Sequence, residues 1–521
     1  MSVIKTHLIK QQYRDSVQLM RAASQASRKE GIKLASVLMG TPKNKPLLEE
    51  VNLLTEEARR ASSNDIIISI KAKSETHAKD AINFIIQFLS KEVESNLDTT
   101  FEYKSLRTVL VSNPDINLAI ISVPGEYAVR ETRLALEKNI NVLLFSDNVS
   151  IEDEIRLKKE AHKRNLIVMG PDCGTAMINN VGLAFANVVQ PGPISIVAAS
   201  GTGTQEVMVL CHHLGLGIKH ALGTGSNDVK DRVMGISMID GLLALEKDPT
   251  IELIIIVSKP PEDLTFNRIL EFVKKCKKNI IINFLGKQPG FCESSHTISV
   301  RTLEEVALSA QHYFKHKSLR RIIGNFSNLS EISLLINKSI NSLSAKQKYI
   351  RGLYAGGTFT FEAAMIILDY LPEGEKLWTN ISLKSTELLD DPMKSREHTL
   401  IDLGADEFTV GKPHPMIDQT ERTRRFLKEI TDPQVAVILI DFVLGFGSHI
   451  NPVEDMMEAL IAWKNQTQKI FVIAHVCGSE LDPQDYEGIT KTLKNLGVYV
   501  MPSNAQAALL ASYIAFRKQI N

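Results

Sequence analysis

The sequence predicts a multidomain α/β protein: a small α/β N-terminal domain, a Rossmann-like parallel unit, and two tandem homologous flavodoxin-like parallel-sheet domains. Three observations predict it. Strand and helix patterns alternate regularly from about Asn117. The pattern A-x-G-T-x-T-x-E occurs at Ala199–Glu206 and again at Ala355–Glu362, an offset of 156 residues. At roughly 150 residues per domain, a chain of 521 residues holds about three to four domains.

The N-terminal hundred residues read as strands at Ile32–Met39 and Asp65–Ile70 with helices at Asp15–Arg28 and Thr76–Leu89. A regulatory or assembly role suits this segment, residues 1–100. Residues 101–190 carry the alternation. Leu118–Val123 is a strand followed by Pro124-Gly125-Glu126, and Asn141–Phe145 is a strand followed by Ser146-Asp147-Asn148. A helix starts near Ser150, where Ser150 and Asp153 have capping-box spacing. Leu166–Met169 is a third strand, followed by Gly170-Pro171-Asp172-Cys173-Gly174. Such alternation means a parallel sheet, whose ligands bind outside the carboxyl ends of the strands. Gly125, Glu126, Ser146, Asp147, Asn148, Asp172 and Cys173 occupy those ends and are the expected cofactor- or substrate-binding residues.

Residues 191–330 and 345–521 repeat each other beyond the shared motif. Val207, Leu210, Cys211 and Leu214 form an apolar stripe in the first copy, matched by Ala363, Ile366, Ile367 and Tyr370 in the second. Leu222-Gly223 pairs with Leu403-Gly404, Leu253–Val257 with Val437–Ile440, and Ile280–Gly286 with Ile470–Gly478. The second copy carries a polar insertion around Glu373–Thr399, and Ser318–Gln347 connects the copies.

Composition bounds the function. Hydrophobic residues at 44% and charged residues at 23% are ordinary for a globular protein. Lys+Arg and Asp+Glu are 60 each, which argues against a chain that grips nucleic acid or anionic lipid. The five cysteines, Cys173, Cys211, Cys276, Cys292 and Cys477, lie far apart, with no CxxC. Neither a disulfide framework nor a metal site is expected, and buried thiols of a reducing cytosol fit. The first residues lack the apolar stretch of a signal peptide. The longest apolar run, Val435–Gly447, is interrupted by Asp441 and too short to span a bilayer. A cytoplasmic protein with no membrane partner is expected.

The repeated loops sit between an apolar strand and an amphipathic helix. Their glycines allow close backbone approach, and their hydroxyls and free helix N–H groups point toward an anion. Ser200, Gly201, Thr202, Gly203 and Thr204, with Gly356, Gly357 and Thr358, are the expected phosphate-binding residues. A tight turn with a simple threonine cap is the bland alternative, which two copies at equivalent places disfavour. Neither loop is a P-loop or a dinucleotide fingerprint. One helix N-terminus stabilises an anion by up to about 2 kcal/mol. A cation about 4 Å away adds on the order of 4 kcal/mol at an effective dielectric near 20. Lys259, directly after a buried strand, and Lys412, in Gly411–Asp418, are the candidate cations. Prolines fix φ on both sides of His414, a rigid setting for Lys412, His414 and Asp418. Asp441, after Ile440, reads as a base or a helix cap, and His475 as a base or a core histidine. The catalytic candidates are therefore His414, Asp441, Lys259, Lys412 and His475.

These residues carry a family resemblance. Gln190–Glu206 resembles the strand-to-helix segment of the succinyl-CoA synthetase α subunit, and Gly170–Cys173 looks like its G-P-N-C turn. Ala221–Asp228 and Ala244–Pro249 match further elements, and the second repeat resembles the ligase domain of the β subunit. The whole chain is similar to the FdrA family. Ser146–Val149, Val168–Thr175, Ala199–Gly203 and Thr409–Asp418 look like that family's signatures. The resemblance implies a CoA-binding-type Rossmann-like domain followed by two succinyl-CoA-synthetase-like ligase domains, with two helix N-termini facing each other across a phosphate. The synthetase's phosphohistidine in G-H-A-G has no match: the nearby histidine is His296, in Glu293–Thr297, without glycines. No segment resembles an ATP-grasp domain. The FdrA resemblance implies a subunit of oxamate carbamoyltransferase in allantoin and purine breakdown. The ligands would be carbamoyl phosphate or phosphate with oxamate or oxalurate, and the partners companion subunits or further copies. An acyl-CoA synthetase subunit that binds CoA, and a non-catalytic scaffold or regulatory subunit, are the alternatives.

Overall fold

The computed structural model describes every residue except Met1, Tyr13, Asp15, Arg28, Lys43, 95–104, Ser327, Val410, Gly411, Ile520 and Asn521. Asp15 and Arg28, the expected bounds of the first helix, lie outside the described residues, as do Val410 and Gly411 of the Thr409–Asp418 signature. The chain forms two compact units, one of Met1–Ser112 with Asp406–Asp418, the other of Asn113–Ala405 with Gln419–Asn521.

The first unit holds a three-stranded antiparallel sheet in the order Val3–Ile9, Ile66–Ala72, Ile32–Met39. Side chains alternate along a strand, so the Ile66–Ala72 run serves two cores. Ile66, Ile68 and Ile70 pack with Leu19, Ala22 and Ile82 of the helices Ser16–Ser27 and Glu75–Glu94, while Ile67 packs with Leu48 and Leu53 on the opposite face. The strand Val3–Ile9 was not anticipated. It is an edge strand with exposed positions, so its pattern carries little apolar signal.

The second unit holds three sheets. Leu118–Ile121, Asn141–Leu144 and Val168–Met169 form a parallel three-stranded sheet, served by helices Gly125–Glu137 and Ile151–Lys163. Ser150 caps the latter, accepting from Asp153 N at 3.1 Å, as the capping-box spacing anticipates. The first large sheet runs Thr297–Ser299, Asn279–Phe284, Leu253–Ser258, Ile194–Ala199, Ile218–Gly223 in parallel, then adds the antiparallel hairpin Thr175–Ile178 and Val181–Ala184. The second runs Tyr499–Met501, Phe471–Cys477, Val435–Val443, Tyr349–Tyr354, His398–Asp402, all parallel. Five successive strands thus repeat in the same spatial order, as the internal repeat predicts. The insertion expected as a polar loop instead supplies two further parallel strands, Leu377–Thr379 and Glu387–Leu388. Among the described residues no helix is long and apolar enough to cross a membrane.

A buried charge cluster joins the small sheet's helix to the first large sheet. Lys158 Nζ donates to Glu154 Oε1 at 2.7 Å, Asp228 Oδ1 at 2.8 Å and Thr224 O at 2.9 Å. All three charged side chains are buried, Lys158 being 1% exposed. Removing the ammonium leaves two carboxylates out of water without a counter-charge. Lys158→Met is therefore expected to cost about 3–5 kcal/mol in urea unfolding.

Candidate functional site

The two glycine loops meet. Ile194–Ala199 and Tyr349–Tyr354 are the central parallel strands of the large sheets, and each delivers its loop at its carboxyl end into a helix. Ser200 caps Gly201–His213, accepting from Gly203 N at 3.1 Å, and Gly356 caps Gly357–Leu368 without a side-chain bond. Ser200 Oγ and Thr358 Oγ1 are hydrogen-bonded across the loops at 2.7 Å. A Cβ on Gly356 would sit 2.6 Å from Thr202 Cγ2, so the approach itself requires glycine there. The N–H groups of Gly201, Thr202, Gly357 and Thr358 have no acceptor among the described residues. Gly201 is exposed and Gly357 half-buried, while Gly203, Thr204 and Thr358 are buried. The arrangement is two helix N-termini, one from each repeat, facing each other with free donors.

Lys259 joins this site. Its Nζ lies 3.1 Å from where a Gly357 Cβ would be, and Asp402 Oδ2 lies 2.7 Å from the same point. Lys259 has no ion-pair partner among the described residues. A half-buried ammonium from the first repeat therefore faces the helix N-terminus of the second. Asp402 ends the strand His398–Asp402, and its Oδ1 accepts from Gly404 N at 2.9 Å.

The motif's terminal glutamates are cross-braces. Glu206 Oε1 accepts from Asn504 N at 3.2 Å, the first residue of the second repeat's last helix. Glu362 Oε1 accepts from Leu303 N at 2.7 Å, the first residue of the first repeat's last helix. Each repeat's loop helix thus ties down the other repeat's final helix, a reciprocal arrangement with pseudo-two-fold character. Asn504 Nδ2 completes it, donating to Glu362 Oε2 at 2.8 Å. Burial pushes the Glu362 carboxyl from its ordinary 4.5 up to about 7. A raised carboxyl contributes its full stability below about pH 4.5 and loses it as pH rises toward about 7. At about 1.4 kcal/mol per pH unit the loss is about 3 kcal/mol. Glu362→Gln is expected to flatten that slope in urea unfolding at successive pH values. Asn504 Oδ1 has no partner, so its amide can rotate to accept from the new glutamine.

His475 and Asp441 lie side by side on adjacent parallel strands. His475 is buried, with Nε2 2.6 Å from Glu206 Oε2 and Nδ1 3.3 Å from Met501 O. Burial alone lowers its pKa, but the Glu206 carboxylate outweighs this and raises it. Asp441 is also buried, and burial raises its pKa against the pull of Arg422. Arg422 Nη1 reaches Asp441 Oδ1 at 3.0 Å, and Ala355 N donates to that oxygen at 2.8 Å. Asp441 therefore anchors the start of the second glycine loop.

Lys412 and His414 belong to the segment Asp406–Asp418, which packs into the unit containing the N-terminus. There His414 O accepts from Ile417 N at 2.8 Å and Asp418 N at 3.1 Å, and Nδ1 from Met416 N at 3.2 Å, a tight turn. In the small sheet, Glu126, Asp147, Asn148 and Asp172 are exposed at the carboxyl ends. Gly125 and Ser146 are buried and hold the turns: a Gly125 Cβ would lie 2.4 Å from Asp147 O, and Ser146 Oγ donates to Val123 O at 2.5 Å. Cys173 is buried and its thiol is pushed up to about 12 by burial. His296 precedes the strand Thr297–Ser299, at the amino ends of the first large sheet, opposite the glycine loops.

Comparison with known proteins follows the same division. Residues 353–514 match the family model for CoA-ligase, and residues 1–103 match that for AllF, heavy metal-associated domain. The Escherichia coli (strain K12) protein YahF is 37% identical over 505 residues, 96% of each chain. The ADP-forming succinate–CoA ligase subunit alpha 2 of Archaeoglobus fulgidus is 24% identical over 153 residues, 29% of this chain and 52% of the relative. The malate–CoA ligase subunit alpha of Methylorubrum extorquens is 26% identical over 128 residues, 23% of this chain and 41% of the relative. The chain thus spans about half or less of those ligase subunits. A thiolate-held heavy metal does not fit residues 1–103. The first cysteine of the chain is Cys173, the segment's histidines are His7 and His77, and His77 Nδ1 is bonded to Ser74 Oγ at 2.6 Å.

Proposed function

The chain belongs to the acyl-CoA synthetase-like FdrA family, and from that premise we propose that it is a CoA-ligase-type subunit that handles an acyl phosphate between its two glycine loops. The observation that carries the reading is the pair of opposed helix N-termini with Lys259 beside Gly357. The phosphoryl oxygens take the free N–H groups of Gly201, Thr202, Gly357 and Thr358. As the acyl carbon is attacked by a thiol, the C–O bond to phosphate breaks and charge builds on the departing oxygen. Fixed N–H dipoles and the Lys259 ammonium stabilise that charge without reorganising. CoA is assigned to the small sheet's carboxyl ends. Glu126, Asp147 and Asp172 suit nucleoside hydroxyl and amino groups there, and the N-terminus of Gly125–Glu137 suits a phosphate. Companion subunits would supply nucleotide-driven phosphorylation.

One observation favours a second reading, carbamoyl transfer from carbamoyl phosphate to oxamate, giving oxalurate and phosphate. His296 lies at the far end of its sheet, so the loops have no counterpart of a phosphohistidine from that segment. A substrate that arrives already phosphorylated needs none.

Thermal-shift titration of the full chain with CoA, phosphate and carbamoyl phosphate, with ADP as control, separates the readings. A ligand at a hundred times its Kd stabilises by about 2.7 kcal/mol. Shifts with CoA and phosphate are expected. A shift with carbamoyl phosphate but not CoA transfers the assignment to carbamoyl transfer, and no shift with any of the three overturns both.

A further inference from the structure

Glu206, His475 and Cys477 place a carboxylate oxygen, an imidazole nitrogen and a sulfur within 4.8 Å of one another, all three side chains buried. We propose that they form a binding site for a zinc-like divalent cation, which ties the first repeat's loop helix to the second repeat's sheet. His475 Nδ1 faces Met501 O, and a carbonyl only accepts, so Nδ1 carries a proton and only Nε2 is left to ligate. Nε2 and Glu206 Oε2 lie 2.6 Å apart with a second proton between them, which a bound cation would displace to expose the Nε2 lone pair. His475 and Cys477 are two residues apart on the strand Phe471–Cys477, so their side chains share one face.

The ligands are held from behind, as metal ligands usually are. Met501 O orients the imidazole and Asn504 N orients the carboxylate. Glu362 is a further buried carboxyl nearby, hydrogen-bonded to the same Asn504 whose N–H holds Glu206. A nitrogen, a sulfur and one oxygen select zinc over magnesium or calcium. Zinc bonds of about 2.0–2.1 Å to nitrogen and oxygen in a tetrahedral site require the Nε2–Oε2 separation to open by roughly 0.7 Å. Binding releases two protons, that of the Cys477 thiol and the one between Nε2 and Oε2, and the fourth position is left to a small exogenous ligand.

The test uses the full chain purified without a polyhistidine tag or chelator, and dialysed against Zn2+. Stoichiometric zinc by elemental analysis is expected, with a sulfur neighbour at about 2.3 Å in zinc-edge X-ray absorption. Cys477→Ser should lower bound zinc to background, while Cys211→Ser, a buried thiol outside the cluster, should leave it unchanged. Because the absorption measurement uses the unmutated chain, it decides the question even where a variant fails to fold. A chain that stays metal-free, or zinc without a sulfur neighbour, overturns the site and leaves a proton between Nε2 and Oε2.

Discussion

Replacing Arg422 with methionine is expected to cost about 3–5 kcal/mol of stability, read by urea unfolding at neutral pH. Arg422 is buried, donates to Asp441 O at 2.5 Å and Asp441 Oδ1 at 3.0 Å, and is held by Gln419 Oε1 at 2.9 Å. Methionine fills much of the space but leaves the Asp441 carboxylate without its counter-charge. Its second oxygen, Oδ2, already lacks a partner. The sign with pH follows. Burial holds the Asp441 carboxyl above its ordinary value, and loss of Arg422 raises it further. The variant should therefore be least impaired at acid pH, where Asp441 is neutral in both states, and lose stability as pH rises. A double variant Arg422→Met with Asp441→Asn should recover much of the loss. If the single variant costs no more than an exposed substitution such as Arg424→Met, the pair does not support the loop.

This pair also shows what the sequence could reveal. The helix Thr420–Glu429 carries Arg422, Arg424 and Arg425, and nothing in the string separates the buried Arg422 from the exposed Arg424. The partner of Arg422 is Asp441, 19 residues on and inside the strand Val435–Val443, reached only once the sheet has formed. The parallel strands Ile194–Ala199, Leu253–Ser258, Asn279–Phe284, Val435–Val443 and Phe471–Cys477 were legible as apolar runs, and the repeat gave their correspondence, whereas Thr297–Ser299 and Tyr499–Met501 are too short to show a pattern. Glu387–Leu388 was not legible, being two exposed residues at a sheet edge with no period to read. The glycine loops were legible as a repeated motif, but the task of its last residue was not. Glu206 and Glu362 accept from backbone N–H groups of Asn504 and Leu303, and a backbone donor leaves no mark on residue type. Asp402 was missed beside Gly357 for a related reason, since its place depends on the end of a neighbouring strand. Lys259 was legible because it directly follows the buried strand Leu253–Ser258, where a cation can reach the carboxyl end of the sheet.

Gly357→Val is expected to abolish stabilisation by phosphate while leaving the fold intact. Gly357 is not in the left-handed region, so the substitution acts through space and not through backbone strain. A Cβ there lies 2.7 Å from Asp402 Oδ2 and 3.1 Å from Lys259 Nζ, and the valine methyl groups fill the volume a phosphoryl oxygen would take. Lys259→Met is the graded companion, since it leaves the loop's N–H groups in place and removes only the cation. Lys259 is half-buried, so solvent screens part of its field, and the loss should be about 1–3 kcal/mol, or roughly 5- to 150-fold in phosphate affinity. Calorimetric titration with phosphate measures both. The two variants separate contributions that a single loss of function would merge: Gly357→Val tests whether the anion sits between the loops, and Lys259→Met tests whether the first repeat contributes charge to the second repeat's helix. Unchanged phosphate affinity in Gly357→Val would place the anion elsewhere, and the opposed helix ends would then be a packing solution to the internal repeat.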